Sequence, residues 1–156
     1  MGRVIAIVLL VAAAVLALAE AGERVPPVTD PMVKAECGSC HLAFPPRFLP
    51  GRSWQKLMDT LSDHFGENAS LGEAQRKAVL DYLLANAADG PNTGRQGRVF
   101  AEGITPAQTP LRLTETPRWV REHREVRADR WRDPKVKSKA NCVACHPAAE
   151  QGLYDD

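Results

Sequence analysis

Cys37-Gly38-Ser39-Cys40-His41 is the stretch whose reading decides this chain, and its pattern returns at Cys142-Val143-Ala144-Cys145-His146. Cys-x-x-Cys-His is the attachment signature of a c-type haem. The chemistry explains the spacing. Two thiols three positions apart lie on one side of a helical turn and can add across the two vinyl groups of one porphyrin. The adjoining imidazole is then held under the ring, where it can bind the iron. The two copies use all four cysteines of the chain, so two covalently bound c-type haems are expected, attached through Cys37, Cys40, Cys142 and Cys145.

Other readings of these cysteines explain less. Disulfides within each pair would close tiny loops and remove little entropy from the unfolded chain. A thioredoxin-like site needs a strand–helix–strand setting, and none is visible. Zinc would need the two pairs to meet from about a hundred residues apart. It would also leave the histidine after each second cysteine without a role.

Ahead of the first motif stand Arg3, the apolar run Val4 to Ala19 and a small-x-small site, Ala17-Leu18-Ala19, with Ala19-Glu20-Ala21 as a second choice. That is the layout of a secretory signal peptide, and residues 1–19 are read as one. The apolar run of sixteen falls short of a spanning helix. Cleavage is therefore expected, with no stable membrane insertion afterwards.

The 156 residues carry 20 basic and 19 acidic side chains, a formal charge of +1 that loss of Arg3 brings to zero. Nothing in that balance calls for nucleic acid or a membrane surface. The remaining chain of about 135 residues suits one domain or two small ones. Each half is near the size at which a peptide core alone is marginal. A covalent haem supplies apolar surface and two thioether cross-links.

Along the chain, Asp30 and Pro31 read as cap and first residue of a short helix, Met32 to Cys40, that delivers the first motif. The apolar but irregular stretch Phe44 to Gly51 reads as a loop over a haem edge. Trp54, Leu57, Met58 and Leu61 mark one face of a helix opened by Ser53 and ending near Phe65-Gly66. Ser70 and Glu73 read as a capping box for a helix to about Ala88. Asp89 to Gly94 reads as a linker, and Arg95 to Thr116 as a long connection with at most short extended pieces. Thr116-Pro117 opens a helix with Trp119, His123 and Val126 on one face. Ser138 begins a last short helix into Cys142 to His146. The expected fold is mainly α with extensive loops, in two small haem-centred domains, residues 20–93 and 94–156.

The four histidines divide evenly. His41 and His146 belong to the motifs and read as proximal ligands. His64 and His123 fall one in each half and read as distal ligands. Axial ligand identity is the protein's main control over haem iron. An open sixth position permits catalysis, and a second histidine closes the site and leaves electron transfer. Met58 is the rival to His64, but its place beside Trp54 and Leu61 suits core packing. Lys135, Lys137 and Lys139 are rivals to His123 and look solvated. His64 with the first haem and His123 with the second is the simpler pairing, and a crossed arrangement stays open. Between Arg112 and Lys139, ten basic residues face five acidic ones. This reads either as a solvated face, or as propionate partners and a surface that steers an acidic partner.

Residues from about Met32 to Ala88 resemble a class I cytochrome c, with His64 where that class usually has methionine. The whole chain after the signal is similar to the small periplasmic dihaem cytochromes c of phototrophic and related bacteria. Ser53-Trp54-Gln55-Lys56-Leu57-Met58, Asp63-His64-Phe65-Gly66-Glu67-Asn68-Ala69 and Thr116-Pro117-Arg118-Trp119 carry that likeness. The resemblance implies a periplasmic protein with bis-histidine ligation at both haems. It also implies electron transfer to a high-spin, oxygen-binding c-type haem protein, often alongside a membrane b-type cytochrome. The expected function is thus a low-potential electron carrier and not an enzyme. The alternative is a haem enzyme, a peroxidase or small-oxide reductase, with one open haem site.

Overall fold

Asp30 opens the first helix, its side chain accepting from the Val33 N–H at 3.0 Å, with Pro31 at the first position. The computed structural model describes residues 24–154, so the signal-peptide reading of residues 1–19 lies outside the described residues. Helix α1 spans Pro31–Gly38, α2 Gly51–Asp59 and α3 Glu73–Asn86. The face of α2 that the sequence marks as apolar is the buried one: Trp54, Leu57 and Met58, together with Ser53. It packs on Val79 and Leu83 of α3, in a cluster that also holds Val33 of α1 and Leu49. The Trp54 indole N–H donates to the Pro46 carbonyl at 2.6 Å. That bond holds the proline-rich loop against α2, so the loop caps the core.

Helix α2 ends at Asp59, earlier than its apolar period suggests. The Thr60 hydroxyl donates back to the Lys56 carbonyl at 2.9 Å. A 3-10 turn, Leu61–Asp63, then follows, and His64 lies in the turn beyond it rather than at a helix end. The expected capping box is absent too: α3 starts at Glu73 itself, with Gly72 at the cap position and no side-chain cap. Ser70 instead gives its N–H to Asn68 at 3.0 Å.

Residues 94–116 hold more structure than their pattern promises. Helix α4, Gly94–Phe100, sits where the sequence reads linker and extended connection. Phe100 drives it into a second cluster with Val25 and Ala88, flanked by Phe48 and Tyr154. The loop after it is fastened to α2 by Arg52, which donates to the carbonyls of Gln108 (2.6 Å) and Thr105 (2.9 Å).

Helix α5, Pro117–Glu122, begins as expected. The Thr116 hydroxyl accepts from the Trp119 N–H at 3.3 Å and donates to the Leu113 carbonyl at 2.8 Å. Thr116 is buried, so Thr116→Ala both uncaps α5 and removes one of the two hydrogen bonds that the Leu113 carbonyl accepts, leaving it the residue 116 N–H. We expect a loss of about 1–2 kcal/mol, read from chemical denaturation of the haem-loaded protein. An unshifted unfolding midpoint would remove the cap from the account. Helix α6, Ala128–Trp131, is a single turn. The last expected helix is only a 3-10 turn, Cys142–Ala144. Lys137 has φ of 61°, and the Asn141 side-chain amide donates to the Val136 carbonyl at 3.0 Å. This loop is therefore held by side-chain bonds rather than by a helix.

The fold is mainly helical with much loop, and the described residues form isolated bridges but no strand. No described helix is long and apolar enough to cross a membrane. The halves share apolar surface: Leu113 sits in the core cluster built on α2 and α3. The chain also closes end to end, with the Val25 N–H donating to the Gly152 carbonyl at 2.9 Å. Gly152 has φ of 79°, and a side chain there would run into the Val25 carbonyl.

Candidate haem sites

His41 follows α1 directly, and its Nδ1 lies 2.7 Å from the Leu42 carbonyl oxygen. A carbonyl only accepts, so Nδ1 carries the proton and Nε2 keeps its lone pair for a metal. The ring stacks on Phe44 at 4.8 Å and 16°.

His64 reaches the same place from the turn after α2. It is the central residue of an inverse γ-turn, with φ −83° and ψ 80°. The Phe65 N–H donates to the Asp63 carbonyl at 3.1 Å. The Gly66 N–H donates to Asp63 Oδ1 at 3.0 Å, and His64 and Glu67 exchange backbone bonds of 2.7 and 3.3 Å. This small knot aims the imidazole at His41, with ring centres 6.2 Å apart and planes at 26°. Burial first, then the charges of His41 and Arg112, hold the His64 imidazolium pKa below its ordinary value. The neutral ring is the form that ligates.

The second site is built the same way from different parts. His123 stands at the C-terminal end of α5, its Nδ1 2.8 Å from the Trp119 carbonyl oxygen. Nε2 is again left available. Its ring stacks on the Trp119 indole at 4.1 Å and 14°, with Trp131 at 6.0 Å. His146 follows the Cys142–Ala144 turn, its N–H donating to the Cys142 carbonyl at 2.8 Å. The His123 and His146 rings lie 6.1 Å apart with planes at 88°.

These separations test the fit of an iron. Bonds from a first-row metal to imidazole nitrogen are about 2 Å. In a ring with bonds of about 1.33 Å, the nitrogen lies about 1.1 Å from the centre. Two imidazoles on opposite sides of one metal thus have centres about 6.3 Å apart. Both pairs meet that figure. The structure brings His64 to His41 and His123 to His146, the simpler of the two pairings.

Between the second pair lies a cavity of about 670 Å³, lined by Trp119, His123, Cys142, Cys145, His146 and Tyr154. That volume is in the range, roughly 300–1,000 Å³, of pockets that enclose small ligands and cofactors. Val25 and Phe48 line it from the first half of the chain. The Tyr154 hydroxyl is buried with no hydrogen-bond partner among the described residues. Its phenol pKa is raised by burial and by Cys142. An orphaned polar atom and an iron-sized gap both fit a bound group here.

No cysteine is in a disulfide. Burial pushes the Cys142 thiol up to about 11. Cys37 moves the same way through burial first and Glu36 second. Thiols protonated at neutral pH are poor nucleophiles and poor thiolate ligands.

Met58 is buried in the core beside Trp54 and Leu57. Lys135 and Lys137 are exposed. Lys139 lines the second cavity, its Nζ 5.6 Å from the Trp119 and Trp131 ring centres. Sequence reasoning did not single out Trp131, Tyr154 or Phe48 for the second site. Their contribution comes from tertiary closure, and no local spacing marks it.

Two attachment motifs on a helical scaffold, each with a second imidazole set opposite its own, define a c-type cytochrome with two haem sites. The family described as dihaem cytochrome c matches over residues 33–154. The chain belongs to that family and holds two c-type haems. It is similar to the diheme cytochrome c from Rhodobacter sphaeroides, with 45% identity over 82% of this chain and 98% of that one, at a TM-score of 0.74. A crystal structure of DHC purified from the same organism shows 44% identity over 81% and 98%, at 0.67. The diheme cytochrome from Shewanella baltica OS155 shows 32% identity over 80% and 86%, at 0.65. No curated protein matches the chain.

Proposed function

We propose that the protein is an exported, periplasmic electron carrier, with His41 and His64 ligating one haem iron and His123 and His146 the other. The observation that carries this reading is the spacing of the two imidazole pairs, each set for one iron. When bound, each haem supplies a reversible one-electron step at its iron. The residues of the chain do the rest. Leu42 and Trp119 carbonyls fix the tautomers of His41 and His123, and the Trp119 stack immobilises His123. Residues 20–93 would supply the attachment cysteines and both histidines of one haem and residues 94–156 those of the other, with Val25 and Phe48 of the first half also lining the second site. His64 and His123 would then occupy the position that a peroxidase or small-oxide reductase keeps open. Lacking the methionine that raises potential, both couples fall on the low side. The excess of cationic side chains from Arg112 to Lys139 suits an acidic redox partner. A high-spin c-type haem protein as acceptor and a membrane b-type cytochrome as donor complete the reading.

The test is electron paramagnetic resonance of the oxidised protein, followed by carbon monoxide after reduction. Ring planes at 26° remove the near-degeneracy of the iron π-type orbitals, and planes at 88° preserve it. We expect two low-spin signals of different kind, one ordinary rhombic and one highly anisotropic, and no prompt carbon monoxide complex, only slow uptake limited by release of a distal histidine. A high-spin ferric signal or prompt carbon monoxide binding would return the enzyme reading to the front.

A further inference from the structure

We propose that Arg112 is a positioning residue for the first haem site, holding the His64 turn in place through the face of Phe65. The inference rests on the reading of His64 as a ligand. The Arg112 guanidinium carbon lies 4.0 Å from the Phe65 ring centre, the geometry of a cation–π contact. Phe65 in turn meets the His64 ring edge-on, at 4.8 Å and 60°. The three groups form one stack from the second half of the chain to the distal imidazole of the first.

Two further observations support this role over a chance contact. Phe65 has φ of 59°, a left-handed backbone that a bulky L-residue adopts reluctantly. The residue is 45% exposed to solvent in this structure. A glycine would serve the turn better, and what phenylalanine adds is the ring between His64 and Arg112. The backbone of Arg112 is anchored as well. Leu113 is buried in the first-half core, and Leu111 packs against it. The hydrogen bonds around His64 close its loop on itself, whereas Arg112 ties that loop to a distant part of the chain. Glu115 also approaches Arg112, at 3.9 Å, but both side chains are more than half exposed. Such a pair contributes little.

Carbon monoxide provides the readout, because it binds reduced iron only when His64 lets go. Its binding rate to the haem-loaded protein therefore reports the opening equilibrium of that ligand. The haem attacked is identified by its C–O stretching band, assigned with His64→Ala and His123→Ala. Arg112→Ala should raise the rate at the first haem about two- to fivefold, the factor set by an exposed cation–π contact. Arg112→Lys, which keeps a cation over the ring, should restore most of the wild-type rate. Phe65→Gly should raise it about as much as Arg112→Ala, and the double variant no further than either alone. Glu115→Gln should leave it unchanged. Equal rates in wild type and Arg112→Ala, additive effects in the double variant, or a rise shared by the second haem would each overturn the proposal. Immediate carbon monoxide binding at the first haem of the wild type would instead overturn the His64 ligation reading on which it rests.

Discussion

Exchanging His64 for methionine should raise the midpoint potential of the first haem by on the order of 0.1 V and leave the second where it is. A thioether donates less to ferric iron than an imidazole does, so the reduced state gains in relative stability. For a one-electron couple, 0.1 V is about fiftyfold in the equilibrium constant. The turn around His64 should tolerate the change. Its hydrogen bonds run through backbone atoms and the Asp63 carboxylate, not the His64 side chain. A redox titration resolves the two couples, and the methionine–iron charge-transfer band reports whether the sulfur binds. A first couple that does not move, with no such band and no carbon monoxide binding, would mean that His64 was never a ligand.

The second large effect is expected at His123. Replacing it with alanine removes the ring that faces His146 at 6.1 Å and leaves the Trp119 indole without its stacking partner. The second haem should become five-coordinate, take up one equivalent of carbon monoxide when reduced, and lose the highly anisotropic low-spin signal. The rhombic signal of the first haem should persist, which assigns both. Lys139 is close enough to intervene, since its Nζ already lies over Trp119 and Trp131 at the edge of the cavity. If His123→Ala stays low-spin, the double variant with Lys139→Ala separates lysine capture from a mistaken assignment. Persistence of both original signals in that double variant would exclude His123 as a ligand.

The parts of this molecule legible in its sequence are those where chemistry imposes local spacing. Cys-x-x-Cys-His is dictated by the porphyrin, the buried face of α2 by helical period, and the starts of α1 and α5 by Asp30-Pro31 and Thr116-Pro117. His64 and His123 stood out because they are the histidines left over from the motifs, and the structure sets each opposite one motif histidine. Helix α4 was not legible. Two glycines in Gly94-Arg95-Gln96-Gly97-Arg98 offset the helical preference of its Arg and Gln residues, and Phe100 packs the segment on Val25 and Ala88. The end of α2 is hidden in the sequence because Leu61 continues the apolar period while the Thr60 hydroxyl turns back on the helix. The same holds for the link between halves. Leu113 sits in an apparently structureless stretch, yet it belongs to the core of the other half.

The closure of the chain on itself has a consequence for the order of assembly. The two histidines of the first site and the helices between and just after them lie near one another along the chain, with Arg112 and its neighbours Leu111 and Leu113 added from further on. The second cavity needs Val25 and Phe48 from the beginning as well as His146 and Tyr154 from the end. Contacts between distant positions form late, because the entropy of closing a long loop must be met before they contribute. The first haem pocket can therefore take shape as a local event, while the second is completed only when the tail docks beside Val25. Until then the cavity that would hold the second haem stays open on the side that Val25 and Phe48 close.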